Sequence, residues 1–192
     1  VNSDPGERTT YSCRVIPERG SWIELVINKK QILEVRIDQS GKFSALTLLR
    51  AMGPEYGSDT ALLRTFFETQ TIKAPKEADI SLLANAYAAA DFVYPAGHER
   101  SGEIIVDSRN IDENDDIVLI GKERATQIVE AKLKDVEIIL KENVKDVLIL
   151  NTLKADETSS HEQALLRIYQ RLRPGNPPQL EKATDLFHEK FF

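Results

Sequence analysis

Between Arg14 and Asp38 apolar and polar residues alternate with a period of two, a pattern that predicts an antiparallel hairpin at the centre of the fold. Ile23, Leu25 and Ile27 share one face and Trp22, Glu24 and Val26 the other; in the next run Leu33, Val35 and Ile37 alternate with Glu34, Arg36 and Asp38. Pro17-Glu18-Arg19-Gly20 suits a type I turn ahead of a strand that starts at Ser21, and residues 10–16 are expected to form the strand before it. Pairing Ile27 with Leu33 also pairs Leu25 with Val35 and Ile23 with Ile37, sets Glu24 against Arg36, and leaves Trp22 opposite Asp38. A slip of two residues either way would oppose Glu24 to Glu34 or to Asp38, and like charges across a ladder repel.

After the turn at 38–41, Ala45, Leu46, Leu48, Leu49 and Met52 recur at helical spacing until Gly53-Pro54 stops them. Ser58 or Asp59 can cap a second helix carrying Leu62, Leu63, Phe66 and Phe67, and both helices are expected to cover the apolar face of the hairpin sheet. The Ala-rich run 80–90 predicts a helix, 104–106 and 117–120 predict short strands flanking the acidic turn DSRNIDENDD, and 125–133 predicts a helix. Val136–Leu140 and residues 147–150 are strand candidates. Ser159 followed by Glu162 fits a capping box for a helix with Leu165, Ile168, Tyr169 and Leu172 on one face, ending at Arg173-Pro174-Gly175. Pro177-Pro178 then lead into a last helix faced by Leu180, Ala183, Leu186 and Phe187. The fold class expected is α+β: an antiparallel hairpin sheet covered by short helices, with residues 70–150 inserted as a small α/β subdomain.

Composition narrows the function. The 192 residues are 41% hydrophobic, enough for a sizeable core, and no apolar run approaches the roughly 20 residues that span a bilayer. One cysteine, Cys13, excludes an internal disulfide, which together with the lack of a signal-peptide pattern points to a cytoplasmic setting. The start at Val1 is what an excised piece of a longer protein would show. The net charge of −6 argues against a general nucleic-acid-coating surface, but it is unevenly spread: residues 1–50 carry +2, 51–150 carry −8 and 151–192 carry 0. Any surface for a polyanion is therefore expected from the two ends.

Three groupings invite chemistry. Trp22 beside Asp38 offers a stacking surface with a hydrogen-bond acceptor in reach, suited to a base or another flat ligand; the alternative is that another part of the chain covers the ring. Asp112, Asn114, Asp116 and Glu123 have calcium-loop spacing, but Ile117 stands where the sharp turn wants glycine, so a solvated acidic turn is expected. His98, His161 and His188 are too scattered for a metal, and Asp91, His98 and Ser101 are not ordered as a triad. Arg167, Arg171 and Arg173 gather at a helix C-terminus, where the dipole favours cations, while Arg173 on its Pro-Gly corner could instead point outward to a ligand.

With RVIPERGSWIELVI, VRID, LLRAMG, Phe66-Phe67 and IYQRLRPGNPPQLEKATDLFHEKFF in this order, the chain resembles the lobe of the β subunit of bacterial DNA-directed RNA polymerase. The resemblance implies that residues 1–69 and 151–192 form a DNA-facing part and 70–150 a variable acidic insertion. It implies a wall of the polymerase cleft, beside downstream DNA and the unpaired non-template strand, in which Trp22 stacks on a base and Asp38 and Arg173 shape the pocket. It further implies a non-catalytic part of a nucleotidyltransferase that needs no cofactor of its own, magnesium and zinc belonging to the partner β′ subunit. The implied partners are β′, α, the remainder of β, a sigma-type initiation factor and DNA. The competing reading is a cytosolic protein-interaction module with an exposed Trp22 face.

Overall fold

The computed structural model describes residues 11–18, 20–114 and 116–192. In chain order the elements are β1 (Tyr11–Val15), β2 (Ile23–Ile27), β3 (Leu33–Ile37), β4 (Phe43–Ser44), α1 (Ala45–Met52), α2 (Asp59–Phe66), β5 (Gln70–Ile72), α3 (Ile80–Ala84), β6 (Ala86–Ala88), β7 (Phe92–Val93), β8 (Ile104–Val106), α4 (Gly121–Glu130), β9 (Val136–Leu140), α5 (Leu148–Ala155), α6 (His161–Leu172) and α7 (Leu180–Phe191). The strands pair antiparallel and the class is α+β. Two compact units result: one takes the chain up to Ser58 and resumes from Val147 to Phe192, the other is Asp59–Asp146.

In the first unit the strands are ordered β1-β2-β3-β4. The β2–β3 register is the one that charge and facing require, with Ile27 opposite Leu33, Leu25 opposite Val35, Ile23 opposite Ile37 and Glu24 opposite Arg36. Val35 and Ile37 are fully buried under Leu48 and Ala51 of α1, Leu165 and Ile168 of α6, and Leu186 and Phe187 of α7. The cover over the sheet thus comes from α1 and the two C-terminal helices, whereas α2, expected there, folds with the second unit. Ser160, not Ser159, caps α6: its hydroxyl accepts from Gln163 N at 3.2 Å, while Gln163 Oε1 accepts from Ser159 N at 2.9 Å. Ser160→Ala should cost about 1 kcal/mol, read as a lower denaturation midpoint of the chain; an unchanged midpoint would show that water caps the helix equally well.

Residues 148–150 open helix α5, with Val147 as its N-cap, and form no strand. A four-residue apolar run carries no period, and here Leu150 and Leu153, three apart, are the buried apolar positions, with Thr152 buried beside them. In α1 the buried face includes Arg50, and Met52, expected inside, is 44% exposed.

The second unit holds a sheet ordered β5-β9-β6 and a β7-β8 pair. The helix expected over 80–90 stops at Ala84, because Ala86–Ala88 pair with β9, Ala86 opposite Leu140 and Ala88 opposite Ile138. Small side chains are what that position requires, since Ala86, Ala88 and Ile138 are buried in one core with Ile128 and Val136. Residues 117–120 form only a single bridge, Ile117 to Ile111. Arg64 of α2 holds Glu137 of β9 through three hydrogen bonds of 2.8–3.0 Å, which keep the guanidinium charged beyond its ordinary range.

Candidate functional site

The hairpin ladder continues one residue past Ile37 and Ile23, and there it changes character. Asp38 N donates to Trp22 O at 2.8 Å, as in any antiparallel pair. The reciprocal bond is made by the side chain: Trp22 N donates to Asp38 Oδ1 at 3.1 Å. The reason is local. Asp38 has φ +52°, a left-handed conformation that Asp tolerates better than most residues and that turns its carbonyl away from the ladder. The carboxylate therefore stands in for a backbone acceptor and pins the tryptophan's main chain. Asp38 Oδ2 also lies 3.6 Å from Lys190 Nζ at the end of α7.

On the other side of Trp22, strand β2 begins at Ile23 and not at Ser21, because Gly20 and Ser21 dock on α7. Ser21 is buried and its amide donates to Lys190 O at 3.3 Å. The turn expected over 17–20 includes Arg19, which lies outside the described residues. Trp22 is thus held by its backbone on both sides while its side chain is 50% exposed.

The ring borders a hollow of about 320 Å³ whose other walls include Arg14, Glu24, Arg36, Asp38 and Gln39. Arg14 lies opposite Glu24 and Glu24 opposite Arg36, so one cross-strand row alternates in charge beside the Trp22–Asp38 pair. The Arg14 guanidinium stands 5.9 Å from the indole centroid, within cation–π reach, and Arg36 Nη1 is 3.9 Å from Glu24 Oε2. Two arginines and two carboxylates leave the hollow close to neutral, rich in both donors and acceptors around one aromatic plate. Such a site can stack a flat ring and hydrogen-bond its edge.

No family model matches the chain. DNA-directed RNA polymerase subunit beta of Rhodopirellula baltica is 54% identical over 186 residues, 97% of this chain and 14% of that protein. The same subunit of Cytophaga hutchinsonii is 35% identical over 95% of the chain, and that of Leptospira biflexa 32% over 96%, each again with 14% of the relative covered. The chain is homologous to a segment of DNA-directed RNA polymerase subunit beta. It spans about one seventh of the length of these relatives. The likeness extends through the acidic middle of the β-subunit segment as well as its ends, since nearly the whole chain is aligned. Among its described residues no helix is long and apolar enough to cross a membrane.

The other candidate residues of this β-subunit segment have ordinary partners. Arg173 is not among the described residues that line the Trp22 hollow; its amide donates to Tyr169 O at 2.8 Å and its Nη1 to Leu172 O at 3.0 Å, closing α6. Asp112 Oδ1 accepts from Asn114 N and Asp116 N, each at 2.9 Å, a self-contained acidic turn. Asp91 accepts from Ser108 N, His98 stacks on Tyr94, and His161 Nδ1 lies 2.7 Å from Arg50 O.

Sequence reasoning missed a buried network. Arg50 Nε donates to Asp156 Oδ2 at 2.9 Å and Arg50 Nη1 to Gly57 O at 2.7 Å, while Thr47 Oγ1, Thr158 N and Thr158 Oγ1 all donate to Asp156 Oδ1. The one signal available was an arginine inside the apolar run LLRAMG, a position where a charge needs a partner.

Proposed function

We propose that this chain is the lobe of an RNA polymerase β subunit in DNA-dependent transcription, forming one wall of the DNA cleft beside downstream DNA and the unpaired non-template strand. The observation that carries the reading is Trp22: half exposed, fixed through its backbone, and bordered by Asp38, Arg14 and Arg36. Stacking accepts any base and contributes about 1–3 kcal/mol. Preference among bases then comes from hydrogen bonds at the base edge, to the free lone pairs of the Asp38 carboxylate and to the guanidiniums. In this reading neighbouring β-subunit segments complete the pocket, and Arg173, at the end of α6 and not in the lining of this hollow, helps to shape it from outside.

Nucleotidyl transfer is assigned to the rest of the assembly. Among the described residues no three His, Cys, Asp or Glu side chains are gathered as a metal ion requires. Its partners in this reading are β′, α, the remainder of β, a sigma-type initiation factor and DNA, and its setting is the cytoplasm.

The test places Trp22→Ala and Asp38→Ala in the full β subunit and follows open-complex lifetime on promoters that differ in the non-template bases near the start site. Trp22→Ala should shorten the lifetime on every promoter, and most on those with the favoured base, by about 5- to 150-fold, the equivalent of 1–3 kcal/mol. Asp38→Ala should flatten the differences between promoters. Equal lifetimes for wild type and variants on every promoter would sink this reading and leave the Trp22 face to a protein partner.

A further inference from the structure

A second hollow, of about 180 Å³, opens at the β4 edge of the same sheet, lined among others by Glu34, Lys42, Ser44, Glu157, Arg167 and Arg171. Its charges are unequally engaged. Arg167 Nη2 pairs with Glu157 at 2.5 Å, and Glu34 accepts from Asn28 Nδ2 at 2.9 Å, so both carboxylates already face a donor. Arg171 is different: its Nε is shielded from solvent and makes no hydrogen bond among the described residues. Its Nη1 passes so close to the chain at Gly41 that a Cβ there would stand 3.1 Å away. A glycine therefore makes room for the guanidinium beside Lys42, and two cations from distant parts of the sequence converge on one recess.

We propose that this hollow binds a backbone phosphate of the single strand whose base stacks on Trp22, with Arg171 and Lys42 as its ligands. The inference rests on the transcription reading above. A phosphate offers several oxygens, enough for the fork of an arginine and the point charge of a lysine together. The two hollows also adjoin. Arg36, which borders the first, and Glu34, which borders the second, are same-face neighbours on β3, about 7 Å apart at the usual strand rise. One step beyond the paired residues Val35–Phe43, the register sets Lys42 opposite Arg36. A strand with its base on Trp22 has its backbone within reach of the recess.

The test uses assembled polymerase carrying Lys42→Ala, Arg171→Gln, Arg171→Lys or the Lys42→Ala/Arg171→Gln pair, and DNA with an unpaired non-template segment. The logarithm of affinity is plotted against the logarithm of salt concentration. The double variant should bind more weakly on all sequences alike, with a slope reduced by about 0.7 for one lost single-strand phosphate contact. Arg171→Lys should retain most of the slope. Methylphosphonate placed at the contacted position should weaken wild type and leave the double variant unaffected. An unchanged slope in the double variant, with Trp22→Ala still weakening binding in a base-dependent way, would overturn the phosphate site and leave the lobe reading standing. An unchanged slope with impaired subunit or factor binding would assign the recess to an acidic protein segment and overturn the proposal equally. If neither Trp22→Ala nor the double variant affects DNA, both readings fall.

Discussion

Asp156→Ala should destabilise the unit built from the chain up to Ser58 and from Val147 onward by about 3–5 kcal/mol, because it strips Arg50 of its carboxylate in a place water does not reach. Both side chains of the pair are fully buried. Asp156 is also the acceptor for Thr47 Oγ1, Thr158 N and Thr158 Oγ1, so the variant strands several donors as well as one charge. Against a typical domain stability of about 5–15 kcal/mol this is a large fraction of the whole. The network also explains why the cost is felt throughout the unit. Thr47 and Arg50 lie on α1, while Asp156 and Thr158 lie between α5 and α6, over 100 positions later in the chain. Adding Arg50→Met to Asp156→Ala should recover part of the loss, since no charge then remains buried, but not all of it, since Thr158 N and Gly57 O lose the bonds they make to Asp156 and Arg50. Denaturant unfolding followed through Trp22, the single tryptophan, measures this. A loss under about 1 kcal/mol in Asp156→Ala would mean that water enters and solvates Arg50.

Gly20→Ala is expected to act on the site without touching the indole. Gly20 has φ +109°, where a side chain is strained by about 1–3 kcal/mol, and its Cβ would stand 2.9 Å from Lys190 O, a backbone atom that cannot swing aside. Relief requires the loop to lift from α7, which takes with it the Ser21 N to Lys190 O bond and the seating of Trp22. In the full β subunit the variant should therefore shorten open-complex lifetimes with the same base dependence as Trp22→Ala although the ring is still present. Gly102→Ala is the control, because Gly102 has φ +87° with nothing within 4 Å of an added Cβ and so carries backbone strain alone. Equal behaviour of the two glycine variants on DNA would show that the docking of Gly20 on α7 does not position Trp22.

Much of the centre of this fold was legible in advance. The hairpin register, the placing of Trp22 opposite Asp38, the bounds of α1 and the strand Val136–Leu140 all follow from alternation, cross-strand charge and stop signals within a few residues. These are local quantities, and the folded chain keeps them. The errors fall where the local signal is degenerate. Residues 80–90 are alanine-rich, which favours a helix in isolation, yet Ala86–Ala88 form a strand because β9, fifty residues later, needs a partner that fits close to its buried isoleucines. Residues 147–150 are an apolar run with no period, and the helical state of 148–150 is set by which of them can reach the core.

That Trp22 and Asp38 face each other follows from the order of residues alone, because facing on a sheet is a matter of counting by twos. The packing of distant segments settles how they are held: the left-handed turn at Asp38 that converts its carboxylate into a ladder acceptor, and the end of α7 that receives Ser21 and places Lys190 beside Asp38. It alone also decided that Arg50 is inside, and that Lys42 and Arg171 share a recess. Burial and convergence of charge depend on partners that arrive from more than 100 positions away, and no window along the chain contains both members of such a pair.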